Sequence, residues 1–322
     1  MERILVTGAS GFIGRATVAW LAGAEYAIRA AVRRPPQPAF AAGVEVMRHP
    51  DLMHPVDWEP LLGGVDRIVH LAGVAPAAGR ARRAANDEIN HRATAQLAAA
   101  AARAGIKQFV FVSSIRAQSG PAADHALSEN DPAAPSDAYG RSKLAGETAI
   151  RAAAVPFTIL RPVPLYGPGA KGGFALIMRA ARSPWPLPVQ DFVGRRSLLG
   201  LDNFLSALRF VLSAPVAIGE TYIVADPGVP PRLADIVATL RLARGRRFRL
   251  VVPMPPDYVE GLLRFLGRAD VWERLGGNLR VDPGKLIGAG WRPAHDTRSG
   301  LAALVQALPQ SSEGAIISPP AP

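Results

Sequence analysis

The chain has 322 residues, 49% of them hydrophobic, with no cysteine and a formal net charge of +11. This length allows one large or two closely joined domains, and the absence of cysteine excludes disulfides, thiolate metal sites and a cysteine nucleophile. The N-terminus enters an apolar run almost at once, and no window approaches the roughly 18 apolar residues of a membrane span. We therefore expect a cytoplasmic protein with neither a signal peptide nor a membrane anchor.

The N-terminal segment predicts a phosphate-binding loop. Ile4–Thr7 is typical of a buried parallel strand, and three glycines follow it at the entrance to an apolar helix. Gly8 permits a tight turn, Gly11 lets the backbone approach a pyrophosphate, and Gly14 lets the helix pack closely on the strand. The helix N-terminus adds free N–H groups and a partial positive charge. A dinucleotide-binding site is therefore favoured over an empty glycine-rich turn.

Strands and helices alternate through the first half of the chain. The predicted strands are Ala27–Val32, Val44–Met47, Asp66–Leu71, Gln108–Ser113 and Phe157–Arg161, and the predicted helices are Phe12–Ala22, Trp58–Leu62, Ala84–Ala104 and Asp137–Ala154. A polar, proline-bearing loop is expected over Ile115–Pro135. This alternation predicts an α/β fold with a doubly wound parallel sheet, a Rossmann domain over residues 1–165.

The second half has shorter, mixed segments rich in proline and glycine. Predicted helices are Phe174–Ala181, Asp202–Ser213, Arg232–Leu242 and Tyr258–Leu266, and predicted strands are Arg196–Leu199, Thr221–Val224 and Arg249–Val252. We expect a smaller mixed α/β substrate domain over residues 166–305, with some segments returning to the main sheet. The small, polar and proline-rich residues at the end predict a disordered tail over residues 306–322.

A tyrosine and a lysine are candidate catalytic residues. Four-residue spacing places Tyr139 and Lys143 on one face of a predicted helix. Lowering the pKa of a tyrosine from about 10 to neutrality requires about 4 kcal/mol. One fixed cation about 4 Å away supplies about that much at an effective dielectric near 20. Lys143 could therefore activate Tyr139 as an acid–base, although an ordinary surface Tyr–Lys pair would show the same spacing.

Ser113 and Ser114 end the apolar strand that precedes this helix. Ligands bind at the carboxyl ends of the strands of an open parallel sheet. A serine there can hydrogen-bond a substrate hydroxyl or carbonyl oxygen while a tyrosine moves the proton. Glycine loop, strand-end serine and Tyr-x-x-x-Lys, in this order, together favour an enzyme over separate structural roles.

With these motifs the chain resembles the extended short-chain dehydrogenase/reductases, in particular their NAD-dependent epimerase/dehydratase family. The residues that carry the resemblance are Thr7–Gly14, Asp51-Leu52, His70–Gly73, Ser113-Ser114, Tyr139–Lys143, Arg161-Pro162, Tyr166–Gly169 and Gly194–Ser197. The resemblance implies Tyr139 as acid–base, Lys143 as its activator and Ser114 as the hydroxyl partner. It also implies a nucleotide-sugar substrate and a homodimer formed through the helices over residues 84–104 and 137–154.

The resemblance further implies which residues bind the cofactor and the substrate. The expected cofactor-binding residues are Gly8, Ser10, Gly11, Phe12, Ile13, Gly14, Arg33, Arg34, Asp51, Leu52, Leu71, Ala72, Gly73, Asn90, Ser113, Tyr139, Lys143 and Pro162. The expected substrate-binding residues are Ser114 and Arg196, the latter gripping a diphosphate with its bidentate guanidinium. Ile115–Gln118 differs from the small and aromatic residues of galactose epimerases, so we expect a different sugar pocket.

Charge at the end of the second strand bears on the form of the cofactor. An acid there would bind the adenine ribose of NAD and repel a 2′-phosphate. Here Val32 is followed by Arg33 and Arg34, which favours NADP slightly over NAD unless both arginines simply face solvent. The six histidines show no metal-ligand spacing, so no metal is expected, and His70 is expected in the core.

Several functions remain open at this stage. The favoured one is a nucleotide-sugar 4-epimerase that uses NAD or NADP. An NADPH-dependent reductase of a nucleotide-4-keto-sugar, or of a non-sugar ketone or aldehyde, needs the same residues. A non-catalytic NADP-binding redox sensor belongs to another class, and the intact Ser114, Tyr139 and Lys143 argue against it. Nucleic-acid binding is not expected, because the basic residues are scattered along the chain.

Overall fold

A computed structural model of the chain describes residues 1–24, 26–35, 38–74, 84–170, 172–245, 251–265, 267, 272 and 277–307. The strands are β1 (Arg3–Thr7), β2 (Ala27–Val32), β3 (Glu45–Arg48), β4 (Arg67–His70), β5 (Gln108–Val112), β6 (Ala126–Leu127), β7 (Phe157–Pro162), β8 (Leu165–Tyr166), β9 (Leu199–Gly200), β10 (Thr221–Val224) and β11 (Arg280–Val281). Seven of them form one parallel sheet in the order β10-β7-β5-β4-β1-β2-β3. The predicted α/β fold with a doubly wound parallel sheet is confirmed.

Helices cover both faces of this sheet. They are α1 (Phe12–Ala22), α2 (Glu59–Leu62), α3 (Ala93–Arg103), α4 (Ala138–Ala152), α5 (Gly173–Arg182), α6 (Leu201–Ser213), α7 (Leu233–Ala243), α8 (Pro256–Phe265), α9 (Gly284–Gly288) and α10 (Thr297–Ala307). Two two-stranded sheets, β6 with β11 and β8 with β9, lie outside the main one. The structure thus has three layers around its central sheet.

The core follows from the two-residue period of the strands. Leu5 and Val6 are both fully buried, but they belong to different apolar clusters on opposite faces of the sheet. The cluster with Val6 includes Phe204 of α6, and the cluster with Leu5 includes Leu97 of α3. Successive side chains of a strand point to opposite faces, so a strand covered on both sides must be apolar throughout.

The order in which the chain adds strands to the sheet reverses between β1 and β4. The chain runs outward from β1 through β2 and β3, and then returns to place β4 on the other side of β1. Ligands of such sheets bind in the crevice at the carboxyl ends of the strands, where the order reverses. The loop after Thr7 and the segment after His70 meet at this point.

Some predicted elements differ from the structure. The helix expected over Ala84–Ala104 begins with a π-helical segment, Asn86–Arg92, before α3. The strand expected over Arg196–Leu199 is reduced to a bridge between Arg196 and Leu279, followed by β9. The hydroxyl of Ser197 accepts a hydrogen bond from the backbone of Val281 there, so a side chain replaces part of a regular ladder.

The C-terminal predictions are only partly covered by the structure. Residues 249 and 250 of the strand expected over Arg249–Val252 lie outside the described residues, and Val251 forms an isolated bridge with Leu187. The tail was expected from residue 306, but α10 continues to Ala307. The rest of that predicted tail, residues 308–322, lies outside the described part. Among the described residues, no helix is long and apolar enough to cross a membrane.

Candidate active site

The glycine loop packs directly against the segment after β4. Gly8 has a φ of +66°, and a Cβ there would lie 2.7 Å from the backbone N of Ala72. A Cβ on Gly14 would lie 2.2 Å from the carbonyl oxygen of Gly8, so α1 and the loop touch through their backbones. The N–H of Gly11 donates to the same oxygen at 3.0 Å. These close approaches leave the first turn of α1 as a cradle suited to a pyrophosphate.

The other predicted loop residues lie around this cradle. Ser10 and Gly11 are exposed, whereas Phe12 and Ile13 are half-buried at the first turn of α1. A Cβ on Gly167 would lie 3.4 Å from the ring of Phe12, so the Tyr166–Gly169 segment packs against the start of α1. Two distant stretches of the chain therefore meet at the helix N-terminus.

His70 holds the floor of the crevice as a neutral side chain. Its Nδ1 lies 2.7 Å from the hydroxyl of Thr7, and its Nε2 lies 2.9 Å from that of Thr94. The Thr7 hydroxyl also accepts from the backbone N–H of Ala72 at 3.2 Å. Burial, helped by the charge of Lys143, lowers the pKa of His70 to about 3. The expectation of a core histidine is confirmed.

Asn90 connects the segment after β4 to the helix that carries the tyrosine. Its side-chain oxygen accepts from the N–H of Val74 at 3.0 Å, and its amide donates to the Ser142 hydroxyl at 3.1 Å. Ser142 in turn donates to the backbone carbonyl of Tyr139 at 2.8 Å. Asn90 is fully buried and lies in the π-helical segment, a feature frequent at functional sites. The predicted cofactor residue thus positions its neighbours, and Ser142 is a positioning residue that the sequence analysis missed.

Lys143 is buried against the end of β5. Its ammonium donates to the carbonyl oxygen of Val112 at 3.1 Å and lies 4.9 Å from the centre of the Phe111 ring. A Cβ on Gly73 would lie only 3.1 Å from this ammonium, so the lysine also faces the segment after β4. Burial lowers the pKa of Lys143 to about 8, which leaves most of it protonated at neutral pH.

Ser114 and Tyr139 meet at the mouth of the crevice. The two side chains lie close together, and both residues are only half-buried. Burial raises the pKa of Tyr139, whereas the neighbouring Ser114 hydroxyl and the charge of Arg116 lower it. The structure therefore brings these two predicted catalytic residues together, and it adds a cation, Arg116, to which the sequence analysis gave no role.

Ser113 faces the interior instead of the crevice. Its hydroxyl donates to Glu147 at 2.6 Å, and Glu147 forms a buried ion pair with Arg161, whose Nη2 lies 2.6 Å from the carboxylate. The same guanidinium donates to Gln118 at 3.0 Å. Sequence reasoning placed Ser113 in the cofactor site, but its hydroxyl is engaged in this network. Glu147 lies four residues after Lys143, and no local motif singles it out.

Arg196 approaches the crevice from the second half of the chain. Its guanidinium donates to the carbonyl oxygens of Gly277 at 3.0 Å and Pro121 at 3.1 Å. Burial, helped by the charge of Arg116, lowers the pKa of Arg196 to about 10. Backbone oxygens hold this cation without neutralising it, which suits a residue that binds an anionic substrate group.

The remaining predicted cofactor residues lie along the same edge of the sheet. Arg33 and Arg34 are exposed just after β2, and the charge of Arg33 contributes to lowering the pKa of His49, after burial as the main cause. Asp51 is exposed, and its carboxylate accepts a hydrogen bond from the N–H of Met53. Leu52 is buried, and Pro162 is the last residue of β7. Within the described part of the chain, no group of three His, Asp or Glu is placed to bind a metal ion.

The chain is similar to known proteins over most of its length. Residues 4–225 match the NAD dependent epimerase/dehydratase family. A UDP-glucose 4-epimerase of Vibrio cholerae is 30% identical over 97% of this chain and 97% of its own length. A ceramide reductase of Caulobacter vibrioides (strain NA1000 / CB15N) is 34% identical over 66% of this chain and 62% of its own length.

Solved structures share the fold at lower identity. The UDP-glucuronic acid 4-epimerase of Bacillus cereus, determined in complex with NAD, superposes with a TM-score of 0.76 at 20% identity, covering 95% of this chain and 96% of that one. The family match extends from β1 to the end of β10, and thus includes all seven strands of the parallel sheet. The chain belongs to the NAD-dependent epimerase/dehydratase family of enzymes.

Proposed function

We propose that the chain is a nucleotide-sugar 4-epimerase that acts by reversible hydride transfer at the C4 position of the sugar. The observation that carries this proposal is the placement of Ser114 close to Tyr139, with Lys143 one helical turn further along α4, at the strand ends beside the glycine loop. The similarity to a UDP-glucose 4-epimerase along almost the whole chain supports it.

A nicotinamide cofactor bound here would supply the hydride acceptor and donor. The residues that would hold its pyrophosphate are those of the Gly8–Gly14 loop, since the backbone contacts there exclude side chains. Leu71–Gly73 would lie along it, and Lys143 would donate to its ribose. The close packing around Gly8 and Gly14 agrees with such a ligand, because a Cβ at either position would collide with backbone atoms.

Tyr139 is the group that moves the proton. As the C4–H bond breaks, the phenolate of Tyr139 takes the proton of the C4 hydroxyl, and it returns this proton when the hydride is delivered to the other face of the carbonyl. Ser114 holds the same sugar oxygen by a hydrogen bond, so the oxygen stays in place while the ring presents its other face. Lys143 stabilises the phenolate when the site is occupied.

The substrate we propose is a nucleotide sugar, bound through its diphosphate by Arg196. The guanidinium of Arg196 comes from the second half of the chain and donates to the carbonyl oxygen of Pro121. We expect the sugar pocket to differ from that of galactose epimerases, because the Ile115–Gln118 stretch differs from their small and aromatic residues. A homodimer through α3 and α4 is part of the same proposal, and a groove that includes Leu144, Ala145 and Ala149 of α4 supports it.

The form of the cofactor can be tested at the end of β2. Arg33 and Arg34 are exposed, and the end of β2 carries no acidic residue that would repel a 2′-phosphate. We therefore expect NADP to bind more tightly than NAD. The double variant Arg33→Ala/Arg34→Ala should lose about tenfold or more of its NADP affinity and little of its NAD affinity. Titration calorimetry with both cofactors measures this, with Arg15→Ala as a control on the neighbouring helix. Equal losses for both cofactors would mean that the arginines do not contact a 2′-phosphate.

The proposed activity is tested by the cofactor content of the purified protein and by turnover of UDP-sugars. We expect cofactor that survives dialysis in near-stoichiometric amount, and interconversion of a UDP-hexose with its C4 epimer without added cofactor. The freshly purified protein is denatured, and the released NAD and NADP are measured by absorbance and mass. A protein that is empty and turns over only with added NADPH would be a reductase instead of an epimerase.

One comparison favours a second candidate, the reduction of a non-sugar ketone. The ceramide reductase of Caulobacter is more identical to this chain than the epimerase of Vibrio cholerae is, although over a shorter stretch. The same Ser114, Tyr139 and Lys143 would then protonate the carbonyl oxygen as it is reduced. Consumption of NADPH with a keto-lipid but with no nucleotide sugar would select this candidate.

A further inference from the structure

Arg116 connects the two catalytic segments through three separate contacts. It follows the catalytic serine by two residues, and its backbone N–H donates to the Ser114 hydroxyl at 3.2 Å. Its carbonyl oxygen is packed against the tyrosine helix, because a Cβ on Gly140 would lie 2.1 Å away. Its guanidinium forms a hydrogen-bonded ion pair with Asp137. Arg116 therefore contacts both the turn that carries Ser114 (the serine turn) and α4, the helix that carries Tyr139.

Asp137 serves two structures at once. One carboxylate oxygen caps α4 by accepting from the N–H of Gly140 at 2.7 Å, and the other receives the guanidinium of Arg116. Tyr139 lies between Asp137 and Gly140 in the sequence, in the first turn of the helix. Movement of Arg116 would thus move the start of the helix relative to Ser114.

The charge around this pair is unbalanced. Arg116 is the cation from the serine turn, Asp137 is the anion from the start of the helix, and Arg196 is a second cation behind Arg116. Arg196 is held by the backbone carbonyls of Gly277 and Pro121, and Asp137 is the carboxylate that pairs with Arg116. The Nε of Arg116 is buried and makes no hydrogen bond, which is a costly state for a cation. Such an arrangement favours negative charge beside Arg116.

We propose that Arg116 is a positioning residue that, through its ion pair with Asp137, aligns the Ser114 and Tyr139 hydroxyls and supplies the fixed positive charge that favours the Tyr139 phenolate. This inference rests on the proposed function for the role of Tyr139 in turnover. The contacts and the charge balance stand without it. Lys143 lies one turn further along the same helix, where its ammonium donates to the carbonyl oxygen of Val112.

Two substitutions should shift the ionisation of Tyr139 in opposite directions. The charge of Arg116 lowers the pKa of Tyr139 and that of Asp137 raises it. Arg116→Gln should therefore raise this pKa, and Asp137→Asn should lower it. Asparagine caps a helix about as well as aspartate does, so the second variant retains the start of α4.

The measurement is the near-ultraviolet absorbance of tyrosinate as a function of pH, with the Tyr139→Phe protein subtracted. The pH profile of kcat is recorded beside it, and Arg232→Gln, which breaks an exposed Arg–Asp pair at the start of α7, is the matched control. Arg116→Lys should restore most of the wild-type profile. Shifts of the same sign in both variants, or none in either, would overturn the proposal. An absorbance shift in a protein inactive on every UDP-sugar would reject only the proposed function.

Discussion

The Tyr139→Phe variant should lose about 10²–10⁴-fold in kcat while it folds and binds cofactor as the unaltered protein does. The substitution removes one hydroxyl and leaves the ring, which is only half-buried at the mouth of the crevice. Without that hydroxyl the proposed acceptor of the sugar hydroxyl proton is lost, so the hydride step stalls. Turnover of the UDP-sugar and cofactor content are measured on the same preparation.

A companion variant separates proton transfer from general damage to the site. Ser114→Ala should also lower kcat, and the double variant should lose much less than the product of the two single losses, because both residues act in one step. Tyr26→Phe, a tyrosine just before β2, is the control and should keep full activity. Activity of Tyr139→Phe within a few-fold of the unaltered protein would remove Tyr139 from the mechanism.

The fold and half of the site could be predicted because their signals are local. The apolar strand with its glycine loop spans Ile4–Gly14 and the Tyr-x-x-x-Lys motif spans Tyr139–Lys143, so each signal is contained in a short stretch of sequence. The boundaries of α1 and β2, Phe12–Ala22 and Ala27–Val32, agree residue by residue with the structure. Apolar runs and glycine punctuation determine such elements with little tertiary influence.

The rest depends on contacts between distant parts of the chain. The pairing of β10 with β7 and the packing of Tyr166–Gly169 against Phe12 bring together residues far apart in sequence. The π-helical segment that buries Asn90 looks, in sequence, like the first turns of an ordinary alanine-rich helix. The role of Asn90 is visible only in the structure, where its side-chain amide hydrogen-bonds to both Val74 and Ser142.

The role of the charged residues was the hardest part to predict. An arginine-rich chain offers many candidate cations, and the sequence analysis chose Lys143 as the residue that activates Tyr139. In the structure the ammonium of Lys143 is bound to the Val112 carbonyl, and Arg116 is a cation that lowers the pKa of Tyr139. Burial and partner choice decide which charges act, and neither is visible in the order of residues.

Glu147→Ala should lower the free energy of unfolding by about 3–5 kcal/mol, because it leaves the guanidinium of Arg161 buried without its counter-ion. Both side chains are almost fully buried, with 1% and 7% of their surface exposed, and the two groups are joined by hydrogen bonds of 2.6 and 2.9 Å. The hydroxyl of Ser113 loses its acceptor as well. Urea denaturation followed by circular dichroism measures the change.

Two further variants distinguish a buried counter-ion from simple loss of packing. Glu260→Ala removes an exposed i,i+4 pair with Arg264 and should cost no more than about 1 kcal/mol. Glu147→Met combined with Arg161→Met removes both charges, and it should recover much of the loss of the single variant, since apolar pairs can replace buried ion pairs of similar volume. If the double variant is less stable than Glu147→Ala alone, the ion pair contributes through its hydrogen bonds to Ser113 and Gln118, and the charge balance is not the dominant effect.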